Sequence, residues 1–148
     1  MSQRLGFALH ALTARLDRAA DRMLQEREGL SYSRFMALFW IGELGSSTQR
    51  DLAARLGVTE PSVSRMVAVL SDLGLVAQTP AKGNRRALDL TSKGDALVRR
   101  SRAYLEGQLE SLITMSGVPY ETFASHIHRL VDVLERQESA VRRLSHVG

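Results

Sequence analysis

Apolar residues recur every three or four positions over most of this chain, which is the spacing of amphipathic helices. Gly29 follows the first apolar stripe and suits the left-handed position that ends a helix, and Ser31 is placed to cap the second helix. Four long helices are therefore predicted, over residues 4–27, about 31–44, from a cap at Thr91 to a break at 115–119, and about 120–144.

Two shorter helices are predicted between residues 48 and 74, joined by a tight turn at Gly57. Thr48 and Asp51 have the spacing of a capping box, which starts a helix over residues 49–56. The next helix follows a possible cap at Thr59, and its inward side is expected to bury Val63, Met66, Val67, Leu70 and Leu73. This arrangement is typical of a helix-turn-helix, whose second helix enters the major groove of DNA.

Two short extended runs follow at residues 75–79 and 86–90, with a basic, turn-rich segment at 80–85 between them. A basic hairpin directly after a helix-turn-helix makes a winged helix-turn-helix. The predicted fold class is therefore mainly α, a winged helix-turn-helix with a two-stranded β wing and long helices at both ends.

The positive charge lies in the same region. Residues 48–102 hold ten basic and five acidic residues, a net charge of +5, while the rest of a chain whose total is +4 sums to −1. This distribution indicates a nucleic-acid-binding face on a near-neutral scaffold, although ordinary surface charge would also account for so modest an excess.

Composition excludes several classes of protein. The chain has no cysteine, which excludes a disulfide scaffold, a thiolate nucleophile and a thiol redox switch. No apolar run is long enough to cross a membrane and no secretory pattern opens the chain, so a cytoplasmic location is expected. His126 and His128 lie about 200° apart around a helix, and no metal-ligand spacing or nucleophile motif occurs, so we expect no metal, no cofactor and no enzyme activity.

The residues expected to contact DNA form three groups. On the second short helix, Arg65 suits guanine, serine hydroxyls suit base edges or phosphates, and a proline can contact a thymine methyl. The basic turn suits a narrow minor groove and its phosphates, and the start of the first short helix suits a phosphate. If these groups do not contact DNA, the second short helix has an ordinary solvated face, the basic turn is a charged surface turn, and the residues at the start of the first short helix only cap it. The predicted DNA-binding residues are Thr48, Gln49, Pro61, Ser62, Ser64, Arg65, Lys82, Arg85 and Arg86.

The motifs together resemble the MarR (multiple antibiotic resistance regulator) family of bacterial transcription factors. The resemblance rests on Thr48-Gln49-Arg50-Asp51-Leu52-Ala53-Ala54-Arg55-Leu56-Gly57-Val58-Thr59, on Ser62-Val63-Ser64-Arg65-Met66-Val67, on Leu73-Gly74-Leu75-Val76 and on Arg85-Arg86-Ala87-Leu88-Asp89-Leu90-Thr91-Ser92-Lys93-Gly94. It extends over nearly the whole chain through the order of the elements.

The resemblance implies a homodimer, joined through its first and last helices, that binds a pseudo-palindromic operator in double-stranded DNA. It also implies release by a small aromatic or phenolic effector, for which the matching residues are His10, Tyr32, Met36 and Trp40, although aromatic residues and methionine at helical spacing more often form plain core. The implied organisation is one domain over residues 1–148, with a winged core at about 31–100 and dimerisation helices at about 4–27 and 100–145.

One position departs from the family pattern. The family's wing usually carries an aspartate two residues before the arginine that enters the groove, and here Asn84 precedes Arg86. Asparagine cannot form the ion pair that helps to aim that arginine, so a looser wing contact is expected. The sequence thus predicts a dimeric, ligand-released repressor, and a winged-helix protein-interaction module without specific DNA binding is the alternative.

Overall fold

The chain folds into six helices and a small antiparallel sheet in a computed structural model that describes residues 4–83 and 85–145. Asn84 and His146 lie outside the described residues. In chain order the elements are α1 (Leu5–Glu28), α2 (Tyr32–Leu44), β1 (Ser47–Thr48), α3 (Gln49–Leu56), α4 (Glu60–Asp72), β2 (Val76–Pro80), β3 (Arg86–Leu90), α5 (Ser92–Met115) and α6 (Tyr120–Ser145). The predicted fold class is confirmed.

The helix ends follow from local capping chemistry. Gly29 ends α1 with a φ of 62°, in the left-handed region that the sequence pattern requires of it. The Ser31 hydroxyl accepts a hydrogen bond from the Arg34 amide and so caps α2, as predicted. Thr91 does the same for α5, since its hydroxyl accepts from the Gly94 amide at 3.0 Å.

The sheet has three strands rather than the predicted two, in the order β1-β3-β2. The hairpin β2–β3 forms the wing, and Gln78 lies opposite Leu88 in its register. The additional strand, β1, pairs antiparallel with β3 through Ser47 opposite Leu88 and Thr48 opposite Ala87. This pairing ties the start of the helix-turn-helix to the second strand of the wing.

The boundary between two compact units falls within α5, between Ala103 and Tyr104. The first unit has an apolar core to which α1, α2, α3, α4 and the sheet contribute. Its largest fully buried side chains are Leu24, Leu38, Ile41, Leu52, Val63, Val67, Leu70 and Leu88. Leu73 was expected in this core but is 45% exposed, because it is the C-cap of α4 and the chain turns away there.

The second unit consists of the rest of α5 and of α6, and no residue of α6 is buried. Large apolar side chains of α6 are instead exposed, as they are along the first half of α1. These residues are Leu5, Phe7, Leu9 and Leu12 of α1 and Leu130, Val131, Val133, Leu134, Val141 and Leu144 of α6. Within the described residues, no helix is long and apolar enough to cross a membrane.

Candidate nucleic-acid interface

The start of α3 is fixed by a complete capping box, as predicted. The Thr48 amide donates to Asp51 Oδ2 at 2.9 Å, and the Asp51 amide donates to Thr48 Oγ1 at 3.2 Å. The Thr48 hydroxyl also donates to Asp51 Oδ2 at 2.7 Å. These donors hold the pKa of Asp51 below its usual value, with smaller contributions from Arg85 and Arg50. Thr48 therefore serves as a cap, with its hydroxyl proton directed at Asp51.

The start of α4 carries a chain of three polar side chains. The Thr59 hydroxyl donates to Ser62 Oγ at 2.9 Å, the Ser62 amide donates to Thr59 Oγ1 at 3.3 Å, and Arg65 Nη2 donates to Ser62 Oγ at 3.4 Å. The Arg65 guanidinium thus lies back over the first turn of the helix. Pro61, Ser64 and Arg65 are exposed and Ser62 is half-buried, so the predicted recognition face points to solvent.

The wing presents its cations at its tip. The Ala81 amide donates to the Arg85 carbonyl at 2.9 Å and closes the turn between β2 and β3. Lys82, Arg85 and Arg86 are all exposed there. A hydrogen bond from Gln78 Nε2 to Ser71 Oγ at 3.3 Å links the body of the wing to α4.

These elements converge on one cleft with a volume of about 480 Å³. Its walls are the start of α3, the first residue of α4 and the two arginines near the wing tip, which the β1–β3 pairing brings together. It is lined by Thr48, Gln49, Arg50, Glu60, Arg85 and Arg86. The structure therefore joins two of the three predicted groups, the α3 start and the wing arginines, in one concave basic surface.

Two residues of the cleft, Arg50 and Glu60, were not predicted. Arg50 lies two residues after the capping threonine, on what could be an ordinary solvated helix face. Glu60 opens α4, where a carboxylate interacts favourably with the helix dipole. They line a cleft only because Arg85 and Arg86 of the wing, 25 or more positions further along the chain, lie beside them.

The far end of α4 is held by the first turn of α5. Thr91 Oγ1 donates to the Gly74 carbonyl at 2.6 Å, Lys93 Nζ donates to the Leu73 carbonyl at 2.9 Å, and the Thr91 amide donates to the Leu75 carbonyl at 3.1 Å. Gly94 is buried against the Leu75 backbone. Three successive carbonyls after α4 are thus satisfied from one short segment.

The residues predicted to hold an effector are brought together only in part. Tyr32, Met36 and Trp40 lie half-buried along one face of α2. Burial and the Asp17 carboxylate, to which its hydroxyl donates, raise the pKa of Tyr32. His10 is exposed on α1, seven residues or about 10 Å of helix before Asp17.

Trp40 also contacts the helix-turn-helix. The Arg55 guanidinium of α3 lies over the Trp40 ring at 4.0 Å from its centroid.

Across residues 4–83 and 85–145, no three acidic or histidine side chains are placed to hold a metal ion.

The helix-turn-helix, the wing and the cleft between them define a winged helix-turn-helix protein. A model of the MarR family matches residues 28–87, from the end of α1 to the wing. An HTH-type transcriptional regulator of Mycobacterium tuberculosis is 32% identical over 116 residues, which are 76% of this chain and 80% of that protein. The chain belongs to the MarR family.

Three further comparisons bear on the length and the fold. The transcriptional regulator MntR of Escherichia coli is 40% identical over 62 residues, 42% of this chain, and the match spans 37% of MntR. The crystal structure of oxidised Escherichia coli MarR has a TM-score of 0.74 at 24% identity, covering 88% of this chain and 94% of MarR. A Staphylococcus aureus MepR–DNA complex has a TM-score of 0.68 at 19% identity, covering 88% and 97%. The named relatives are transcriptional regulators, in agreement with the expectation that this chain is not an enzyme.

Proposed function

We propose that this protein is a dimeric, sequence-specific regulator that binds a pseudo-palindromic operator in double-stranded DNA and represses transcription until a small molecule releases it. The observation that carries the proposal is the convergence of the α3 start, the α4 start and the basic wing on one exposed cleft lined by three arginines. Such a regulator works in the cytoplasm, where bacterial DNA lies.

Each exposed group has a distinct role in this proposal. Arg65, with Ser62 and Ser64, reads base edges in the major groove from the outer face of α4, and Pro61 contacts a thymine methyl there. Lys82 and Arg86 at the wing follow the adjacent minor groove and its phosphates. Gln49, Arg50 and Arg85 hold the phosphate backbone that runs between the two grooves.

The dimer covers the exposed apolar side chains of α1 and α6. Exposed leucines, valines and a phenylalanine in such number are more than an isolated domain of this size usually leaves in water. A two-fold axis then places two α4 helices at half-sites about 34 Å apart, one turn of B-DNA.

Release by an effector uses the face of α2 that carries Tyr32, Met36 and Trp40. Because Trp40 is stacked on Arg55 of α3, a ligand that displaces the ring also moves the helix that starts the helix-turn-helix. A ligand that prefers one arrangement of α2 and α3 shifts the population and with it the affinity for the operator.

The test is fluorescence anisotropy of the protein with duplex from its own upstream region and with a scrambled duplex, over a salt series. Preferential, salt-dependent binding at two protomers per site is expected. Arg65→Ala should lose about 1–3 kcal/mol of discrimination between duplexes, and Arg86→Ala should weaken both complexes alike and flatten the salt dependence.

Arg99→Ala is the matched control, since it removes an exposed arginine that pairs with Asp95 on α5. Normal binding by Arg86→Ala would contradict the role of the wing. No binding to any duplex at low salt would overturn the proposal and favour a protein-interaction module.

A further inference from the structure

The cleft contains one acidic side chain among its arginines. Glu60 is the first residue of α4, is exposed, and lines the cleft together with Arg50, Arg85 and Arg86. A carboxylate on a surface that approaches DNA repels every phosphate, whatever the sequence of the duplex. Glu60 lies at the start of the recognition helix, however, and the first residues of such a helix meet base edges. Its carboxylate can therefore accept a hydrogen bond from a base instead of facing a phosphate.

The base that suits this carboxylate best is cytosine. In the major groove the cytosine N4 amino group is a donor, and a glutamate carboxylate is the side chain that accepts from it. The guanine O6 and N7 and the thymine O4 are acceptors, which a carboxylate cannot satisfy, and the adenine N6 donor lies beside the N7 acceptor, which repels a carboxylate. A glutamate at this place therefore weakens binding to most sequences and regains the loss at one base.

We infer that Glu60 is a specificity-determining residue, which selects a cytosine in each half-site and suppresses binding to other DNA by repelling its phosphates. The inference rests on the proposed DNA-binding function. Repulsive elements of this kind raise specificity without raising affinity for the preferred partner. The cleft arginines provide the attraction and Glu60 makes that attraction depend on sequence.

The experiment uses the full chain and a randomised duplex pool. The wild type selects its preferred sequence from the pool, and affinities for this duplex and for a scrambled one are then measured by anisotropy at one ionic strength. Glu60→Gln should bind the scrambled duplex more tightly than wild type. Its ratio of selected to scrambled affinity should fall by about tenfold for each half-site, within the range of one mismatched base pair.

Asp72→Asn is the matched control. It makes the same change in charge on the same helix, 12 residues or about 18 Å from Glu60, and Asp72 is also exposed. This variant should keep the wild-type ratio. Glu60→Asp separates the two roles, since a shorter carboxylate keeps the repulsion but retracts from the base, so its scrambled affinity should stay low while its cytosine preference is lost.

The outcomes are distinct. If Glu60→Gln and Asp72→Asn shift both affinities equally, or if Glu60→Gln still selects the same cytosine, the inference is wrong while the proposed function stands. If the wild type itself enriches no sequence and binds both duplexes alike, the proposed function fails, and the inference fails with it.

Discussion

Gly94 occupies a position in which a single methyl group should disturb the base of the wing. It lies in the first turns of α5, and a Cβ built on it would be 3.0 Å from the Leu75 carbonyl carbon, 3.3 Å from Leu75 Cα and closer still to the carbonyl oxygen. These are backbone atoms, so no side chain can rotate away. Gly94→Ala therefore forces α5 and the start of β2 apart.

The cost can be worked from the contacts at this point. Overpacking a buried site costs about 1–3 kcal/mol, and separating the backbones also weakens the bond from the Thr91 amide to the Leu75 carbonyl, which is worth about 1 kcal/mol. Alanine recovers about 1 kcal/mol over glycine within a helix. The net loss is about 1–3 kcal/mol, or about 2–4 °C of melting temperature for each kcal/mol in a chain of this size.

Urea and thermal denaturation, followed by circular dichroism at one protein concentration, measure this loss. Gly107→Ala is the matched control, because Gly107 lies in the same helix with nothing within 4 Å of a Cβ. It should gain about 1 kcal/mol from helix propensity alone. If Gly94→Ala proves as stable as Gly107→Ala, the close approach of α5 to Leu75 does not constrain the fold and the reasoning is refuted.

Three further changes test other parts of the structure by urea denaturation. Thr48→Ala removes the capping box and should cost about 1 kcal/mol, whereas Thr48→Ser should keep most of that stability. Ser101→Ala removes a buried hydroxyl that has no hydrogen-bond partner among the described residues, so it should be neutral or stabilise the fold by about 1 kcal/mol; a clear loss would show that the hydroxyl is bonded. The two hydrogen bonds from Arg100 hold the pKa of Glu28 below its usual 4.5. A carboxylate whose pKa is lowered by folding stabilises the fold at pH values above its usual pKa. Glu28→Gln should therefore be less stable than wild type at neutral pH, and this difference in stability should disappear only as acid protonates Glu28.

The parts of the fold that the sequence predicts well are those decided within a few residues. Ser31, Thr48 with Asp51, and Thr59 each bond an amide three positions away, and the three helices that they cap begin where the sequence places them. The two short extended runs predicted at residues 75–79 and 86–90 likewise match β2 and β3 to within one residue. Local chemistry of this kind is visible without the rest of the chain.

The features that the sequence did not predict depend on distant residues. Strand β1 is two residues long and forms only because β3, some 40 positions later, offers its edge. Arg50 and Glu60 belong to the cleft because that pairing brings the wing beside them. Leu73 fits the apolar stripe of α4, but the stripe outlasts the helix by one residue and the side chain is left in water. Nothing in the spacing of residues reveals such long-range neighbours.

The two ends of the wing differ in how freely their length can change. At the tip, Lys82, Gly83 and Arg85 are exposed, and exposed loop tips are the places where insertions are best tolerated. At the exit, Thr91 alone separates β3 from α5, and one added residue would rotate the helix by about 100° and turn Gly94 away from Leu75. An engineer can therefore lengthen the wing at its tip while α4 stays in place, but the exit admits no change of length.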